Sequence, residues 1–177
     1  APTVVEIGCG DGHFLGGLAE ARAGRGRYVG FDPHAQAQTV QGVDFQARLF
    51  EPLIDLPVYR PDAVVIRHVL EHLTAPAVLL EQLAWAATQS GIVCHLFAEV
   101  PCIDRVFGTD RLADFFYEHV SHFTSESFRR LLSRAGTVSE LAHGYDGEVV
   151  FACLTLGVPS EFVARATGAV SRPSSFS

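Results

Sequence analysis

Three residues whose side chains can bind a metal ion lie close together in the stretch IRHVLEHL: His68, Glu71 and His72. If the stretch is an α-helix, His68 and His72 lie one turn apart on the same face, where both could bind one ion. The spacing H-x-x-E-H is found in one group of zinc peptidases. The stretch is therefore either a zinc site or the edge of a pocket for another ligand.

A glycine-rich turn near the start of the chain indicates a different chemistry. In VVEIGCGDGHFLGGLAE, Gly8, Gly10 and Gly12 separate an apolar run from a helical pattern, and Glu6 precedes them. Such glycines let the backbone approach a ligand, and N–H groups at the helix start can bond to it. Asp32 ends the next apolar run, where it can accept from both hydroxyls of a ribose. These features predict a nucleoside-containing cofactor; a tight turn with a surface aspartate is the alternative.

The spacing of the glycines excludes one class of cofactor. A nicotinamide-binding fingerprint, G-x-G-x-x-G, needs a third glycine at position 13, which is His13 in this sequence. We therefore do not expect a nicotinamide oxidoreductase.

The elements that must position these residues alternate between strands and helices. Apolar runs predict strands at 3–8, 27–32, 43–50, 62–67 and 91–101. Helical patterns cover 14–23 and 75–89, and TSES opens a further helix that runs to Gly136. Two final runs, 137–145 and 148–157, predict an antiparallel pair. The alternation predicts a doubly wound α/β sheet in one domain, residues 1–157, followed by a C-terminal tail, residues 158–177.

The position of the H-x-x-E-H stretch argues against zinc. The stretch follows directly on the buried run DAVVIR, in a chain whose first two strands already carry the cofactor residues. A zinc peptidase needs the motif within a helix and another carboxylate later in the chain. We therefore expect no metal ion. We interpret His72 as a packing or capping residue, and His68 as a residue at the cofactor's edge or a structural one.

Composition and charge exclude further classes of protein. Of the 177 residues, 48% are apolar and 19% are charged, which is a globular balance. The formal charge of −7 argues against nucleic acid or an anionic membrane as the main partner. No apolar run reaches the ~18 residues of a membrane span. The cysteines form no C-x-x-C pair, which indicates reduced core residues of a cytoplasmic protein: Cys9, Cys94, Cys102 and Cys153.

With these motifs the sequence resembles the class I S-adenosylmethionine-dependent methyltransferases. EIGCGDG is similar to their first motif, GFDP to their second, and DAVVIRHVLEHL to their fourth strand and the loop after it. The resemblance covers residues 3–156 and implies a Rossmann-like, seven-stranded, mostly parallel sheet whose last strand is antiparallel. It also implies a set of residues that contact S-adenosylmethionine: Glu6, Gly8, Cys9, Gly10 and Asp32, with Arg67 and His68 opposite.

The residues that contact the adenine are assigned only from their position near the end of the third strand in the family resemblance. Many relatives carry an acidic residue near the end of the third strand that helps to hold the adenine, but Ala47 and Arg48 stand there in this sequence. The adenine contacts are therefore assigned to Arg48, Leu49 and Phe50.

The later part of the chain resembles a narrower group, the methyltransferases related to the deoxysugar C-methyltransferases. The similar stretches are AEVPC, DFFYEHVSHFTSESF and GYDGEVVFA. In that group a Glu-His pair, here Glu118 and His119, lies at the substrate end of the pocket, and the histidine is the proposed general base. Histidine suits this role because it titrates near neutral pH, and methyl transfer to carbon or oxygen requires removal of a proton. The alternative is that His119 and His122 cap or pack against the next helix.

The sequence thus predicts a methyltransferase that moves the methyl group of S-adenosylmethionine to a small-molecule acceptor lying against residues 99–123. The acceptor is expected to be a sugar or another natural-product intermediate, methylated at carbon or oxygen. The alternative is a degenerate S-adenosylmethionine-binding module without turnover, part of a larger protein. Neither nucleic acid nor a membrane is expected as a partner.

Overall fold

The computed structural model describes residues 1–34, 40–106 and 119–157. Its strands are β1 (Thr3–Ile7), β2 (Arg27–Phe31), β3 (Val43–Gln46), β4 (Ala63–Arg67), β5 (His95–Pro101), β6 (Gly136–Gly144) and β7 (Val149–Leu156). Its helices are α1 (His13–Ala21), α2 (Pro52–Tyr59), α3 (Pro76–Gln89) and α4 (Ser125–Leu132), with 3-10 turns at Leu70–His72 and Tyr145–Gly147. Within these ranges, no helix combines the length and the apolar character needed to cross a membrane.

Among the described residues, the strands form one seven-stranded sheet in the order β3-β2-β1-β4-β5-β7-β6. The pairs β1–β2, β2–β3, β1–β4 and β4–β5 are parallel. β7 is antiparallel to both of its neighbours, β5 and β6. The predicted fold, a doubly wound and mostly parallel sheet whose last strand is antiparallel, is confirmed.

The central strands are buried on both faces because helices cover each side of the sheet. On one face, Val4 of β1 packs in a cluster with Leu15 of α1. On the other face, Val5 belongs to the larger core that includes Leu80 and Leu83 of α3. Successive residues of a strand point to opposite faces, so a strand buried on both faces is a continuous apolar run. For this reason the central strands could be recognised in the sequence.

Helix α2 is an element that the sequence patterns did not predict. Its two prolines obscure it: Pro52 lies in the first turn, where a missing N–H costs little, and Pro57 lies inside the helix. The buried Asp55 carboxylate stabilises the start of the helix. It accepts the N–H of Glu51 at 2.7 Å and two guanidinium nitrogens of Arg48 at 2.6 and 2.7 Å. An ion pair therefore holds a segment whose local helix propensity is weak.

We expect Asp55→Ala to lower the free energy of unfolding by about 1–2 kcal/mol near pH 7, because charge-assisted hydrogen bonds to a buried group are lost. Burial alone would raise the pKa of Asp55, but the hydrogen bonds from Arg48 and from the N–H of Glu51 hold that pKa below its ordinary value. Such a carboxylate stabilises the fold above its ordinary pKa, and the contribution is lost as the pH falls through the lowered value.

Urea denaturation of the wild type and Asp55→Ala at neutral and at acidic pH checks this expectation, since the difference between them must shrink on acidification. The matched control is Asp44, whose ion pair with Arg27 is about half exposed on both sides. Asp44→Ala should change the stability by less than about 1 kcal/mol. An Asp55→Ala effect no larger than that of Asp44→Ala would contradict the assignment.

Candidate active site

The residues predicted to bind the cofactor meet at the carboxyl edge of the parallel strands. Ile7 of β1 pairs with Phe31 of β2 and with Ile66 of β4, and Arg67 of β4 pairs with Glu99 of β5. The residues that follow these strand ends therefore lie side by side, although they are far apart in the sequence. In doubly wound sheets, ligands bind in the crevice at this edge.

Gly10 and Asp32 form the centre of the candidate cofactor site. The N–H of Gly10 donates to Oδ2 of Asp32 at 3.0 Å, and Oδ1 accepts the N–H of His34 at 2.8 Å. Each carboxylate oxygen keeps a second lone pair, so Asp32 can still accept from two hydroxyls of a ligand. A Cβ on Gly10 would meet no atom within 4 Å, so the space beside the turn is open. The glycine turn and the acid thus lie together, as a ribose site requires.

The other two glycines of the turn make room for the protein itself. Gly8 and Gly12 have φ angles of +73° and +75°, in the left-handed region that favours glycine. A Cβ on Gly8 would overlap the side chain of Val69, and a Cβ on Gly12 would overlap the ring of Phe45. Gly8, which was predicted to contact the cofactor, is therefore required for packing of the loop that follows β4.

Cys9 is a second residue of the turn that packs inside the protein. It is buried, contacts the backbone at Gly30, and belongs to the cluster between the sheet and α1. Burial raises the pKa of its thiol to about 12, and the carboxylates of Glu6 and Asp32 add to this effect. The Cys9 side chain is therefore a neutral core group, and the predicted contact of Cys9 with the cofactor would be made through its backbone.

Glu6 lies buried at the base of the glycine turn, with 2% of its surface exposed. Burial raises the pKa of its carboxyl to about 7; Arg67 opposes the shift, while Asp11 and Glu99 add to it. Within the described parts of the chain, Oε2 of Glu6 has no hydrogen-bond partner. A cationic ligand group would favour the ionised carboxylate.

We expect Glu6→Gln to reduce the pH dependence of stability of the ligand-free protein. The folded state holds the Glu6 proton more tightly than the unfolded state, so the stabilisation is complete below the ordinary pKa of 4.5 and is lost as the pH rises through about 7. Across this window the wild type should lose about 3 kcal/mol from this group, and Glu6→Gln should not. Denaturation at several pH values measures this. Glu126→Gln, on an exposed side chain of α4, should follow the wild type; a Glu6→Gln curve parallel to the wild type would contradict the expectation.

A chain of charged groups connects β5 with the turn after β4. Oε1 of Glu99 accepts from the Arg67 guanidinium at 3.1 Å and lies 3.1 Å from Nε2 of His68. Nδ1 of His68 lies 3.4 Å from Oε1 of Glu71. Contact with Glu71 raises the pKa of His68, burial opposes the shift, and Glu99 raises it further. Arg67 and His68, both predicted to face the cofactor, are thus positioned by one carboxylate, that of Glu99.

The H-x-x-E-H stretch does not form the helix on which a zinc peptidase arrangement depends. Its last residues, Leu70–His72, form a 3-10 turn. The two histidines contact different partners: His68 contacts Glu99, whereas the ring centre of His72 lies 4.9 Å from that of His119. The pair predicted to share one helix face is therefore separated.

His119 reaches the turn after β4 from a distant part of the chain. The N–H groups of Val120 and Ser121 donate to the carbonyl oxygen of Glu71 at 2.8 and 3.0 Å. These bonds hold the segment against the turn. One ligand atom each from Glu71, His72 and His119 lies within 4.8 Å of the other two. The candidate base thus lies in a cluster of three groups that can bind metal.

The structure describes only one of the two predicted neighbours of His119, which are Glu118 and His122. Glu118, predicted to orient His119, lies outside the described residues. The ring centre of His122 lies 6.1 Å from that of His119. The cap of α4 is Thr124, which forms a capping box with Ser127. The TSES start signal is therefore confirmed, and the helix has its own cap without either histidine.

The three predicted adenine contacts differ in their surroundings. Arg48 is bound to Asp55, and its guanidinium lies over the ring of Phe31 at 4.9 Å. Phe50 is 6% exposed and packs edge-on against Phe31, with ring centres 5.0 Å apart. Leu49 is 69% exposed. Phe50 is therefore a packing residue. Arg48 is held by Asp55 but is 43% exposed at its side chain, so Leu49 and part of Arg48 are open to a ligand.

The sequence patterns assigned Glu99 no role, and they named Glu71 only as part of the zinc motif that was rejected. Both are buried, with 6% and 1% of their surface exposed. The available signal was an acidic residue within or beside an apolar run, as in HLFAEVP, because a buried carboxylate needs a compensating partner.

The fold is shared with solved structures, two of which are methyltransferases. A SAM-dependent methyltransferase from Aquifex aeolicus is 15% identical, with 88% of this chain and 82% of that chain covered and a TM-score of 0.61. The N-methyltransferase NodS from Bradyrhizobium japonicum WM9 is 18% identical, with 88% and 86% covered and a TM-score of 0.58. LepI in complex with SAM is 18% identical, with 88% and 42% covered and a TM-score of 0.63. The fold is therefore the Rossmann-like methyltransferase fold.

The sequence itself identifies the family. A family model described as a methyltransferase domain matches residues 1–138. The chain belongs to this methyltransferase family, and the prediction of a methyltransferase is confirmed. No curated protein matches the sequence.

Proposed function

We propose that the protein transfers the methyl group of S-adenosylmethionine to a small-molecule acceptor. The observation that carries this proposal is the contact of Gly10 with Asp32 at an open edge of the sheet. We assign Asp32 to the two ribose hydroxyls, and the buried Glu6 to a cationic group of the cofactor. S-Adenosylmethionine carries a ribose and a cationic amino group, whereas an ordinary nucleotide lacks the second.

The acceptor lies, in this proposal, between the turn after β4 and residues 119–123. In the transfer, an electron pair of the acceptor atom forms a bond to the methyl carbon as the bond between that carbon and sulfur breaks. The electron pair of the broken bond stays on sulfur, and the acceptor loses a proton. We assign His119, with Glu118 as its partner, to the removal of that proton. The support is positional, since the ring of His119 packs against that of His72, in the turn that follows the candidate cofactor residues Arg67 and His68.

We further propose that the acceptor is a sugar or another natural-product intermediate. The resemblance of AEVPC and the Glu-His segment to the deoxysugar C-methyltransferases supports this class. The net charge of −7 favours it over RNA, since binding to phosphates relies on lysine and arginine. Carbon, oxygen and nitrogen are all to be tested as the methylated atom, because NodS is an N-methyltransferase.

One observation favours a second function, a cofactor-binding module without turnover. Arg48 and Phe50, two of the three residues assigned to adenine, are used for packing within the protein. A weak adenine site would fit a module that binds the cofactor loosely. The cluster around His119 disfavours this alternative, because a binding module has no need for groups that act on an acceptor.

The test combines binding with turnover. Calorimetry should show that S-adenosylmethionine and S-adenosylhomocysteine bind, and that NAD does not. A panel of sugars, phenols and amines is then incubated with labelled S-adenosylmethionine, and methylated products are identified by mass spectrometry. Binding without any product across small molecules and RNA would favour the module. Absence of S-adenosylmethionine binding would overturn the proposed function.

A further inference from the structure

We propose that Glu71, His72 and His119 bind one divalent transition-metal ion beside the acceptor. The inference rests on the proposed function only for the identity of that acceptor, because the three ligands are defined by the structure. It also departs from the sequence-based expectation that no metal is present. That expectation considered His68 with His72, whereas the third group, His119, comes from a distant segment.

The buried carboxylate of Glu71 is the strongest observation. Glu71 is 1% exposed, and within the described residues neither of its carboxylate oxygens has a hydrogen-bond partner. Among the described residues, it forms an ion pair with Nδ1 of His68 at 3.4 Å. A buried carboxylate is costly unless a charge or hydrogen bonds compensate it. A metal ion at Oε1 or Oε2 supplies that compensation.

The two imidazoles complete a plausible ligand set. A ligand atom of each of the three side chains lies within 4.8 Å of the others. Around a tetrahedral ion with bonds of about 2.0–2.1 Å, ligand atoms are about 3.4 Å apart, so small changes of side-chain rotamer close the site. The backbone need not move, because Val120 and Ser121 already hold the His119 segment against Glu71 by two hydrogen bonds.

The donor types indicate the class of ion. Two imidazoles with one carboxylate suit zinc, iron, cobalt and manganese better than magnesium or calcium, which prefer oxygen ligands only. Three protein ligands leave at least one position open for water or for an acceptor oxygen. His68 contacts both Glu71 and Glu99. It would therefore orient the Glu71 carboxylate that binds the ion.

The ion changes the role assigned to His119. A histidine that binds a metal is not free to take a proton from the acceptor. An oxygen bound to a divalent ion, however, loses its proton more readily than a free hydroxyl. His119 would therefore promote deprotonation of the acceptor through the ion.

A second cluster provides the matched control. Cys102, Asp104 and His143 also bring ligand atoms together. Its polar groups are satisfied internally, since the Ser125 hydroxyl bonds both to Asp104 and to Nε2 of His143. No buried carboxylate in that cluster needs compensation, because Asp104 and His143 are exposed. We therefore place the ion at Glu71 and not at Asp104.

The experiment uses tag-free protein stripped with a chelator and then titrated with Zn²⁺ and Mn²⁺ by calorimetry, and with Co²⁺ by visible absorption. We expect one ion per chain. His72→Ala, at an exposed position, and Glu71→Gln should each weaken binding by at least about 100-fold, while His143→Ala should stay within about 3-fold of the wild type. The ion should raise the melting temperature of the wild type but not that of Glu71→Gln.

Three results would overturn the proposed metal site. They are the absence of stoichiometric binding, equal affinity in His72→Ala, and loss of the ion in His143→Ala. S-Adenosylmethionine binding is measured on the same samples. If the cofactor binds but no ion does, the metal site fails and the proposed function stands. If an ion binds but no cofactor does, the proposed function fails and the metal site stands.

Discussion

His119→Ala should lower the rate of methyl transfer by about 10²–10⁴-fold and leave the affinity for S-adenosylmethionine unchanged. The reason is positional: His119 packs against the turn after β4, beside Glu71 and His72, and it is not among the predicted cofactor contacts. The rate is measured at saturating S-adenosylmethionine with an acceptor from the screen, and the affinity by calorimetry.

The control is His122→Ala, three residues further along the same segment. We expect it to affect stability more than the rate. Near wild-type turnover in His119→Ala, or a loss of cofactor binding together with activity, would make His119 structural.

His72→Ala distinguishes the two chemical roles of His119. If His119 is a simple base, His72→Ala and treatment with chelator leave most of the rate intact. If His119 acts through a metal ion, both reduce the rate about as much as His119→Ala does, and added metal restores the chelated wild type.

The second large effect is expected at the ribose. Asp32→Ala should weaken S-adenosylmethionine and S-adenosylhomocysteine alike by about 1.5–3 kcal/mol, which is a loss of about 10- to 150-fold in affinity, since charge-assisted hydrogen bonds are removed. Asp32 also holds the N–H of Gly10, so part of the loss comes from a less ordered glycine turn. Calorimetry with both ligands measures the effect.

Asp44→Ala is the matched control for this experiment. It removes the same charge from the neighbouring strand, at a residue that is about half exposed and pairs only with Arg27 and Gln46 among the described residues. Its cofactor affinity should equal that of the wild type. If Asp32→Ala binds as tightly as Asp44→Ala, the ribose is bound elsewhere.

Several features of the fold could be predicted because they depend on local residue patterns. β1, β2 and β4 are mostly apolar runs, since both faces of each strand are buried. The start of α4 could be predicted because a capping box involves only residues three apart. Helix α2 could not, because its two prolines mask a segment that the ion pair of Arg48 with Asp55 stabilises.

The candidate site also has some features that the sequence predicts and others that only the structure shows. The glycine turn and Asp32 were evident from the sequence, because each follows a recognisable strand and parallel strands end at a common edge. The individual roles of the turn residues were not, since only packing shows that Gly8 makes room for Val69 and that the Cys9 side chain faces the core.

The sequence alone therefore determined the sheet, the family of the chain and the edge at which its cofactor is expected to bind, because these follow from residue periodicity and from motifs within short segments. Only the tertiary structure decided the partners of the charged residues. Glu99 is placed between Arg67 and His68 by strand pairing, and His119 is brought to Glu71 by hydrogen bonds between distant segments. Contacts of this kind depend on distances in space, which residue spacing along the chain does not specify.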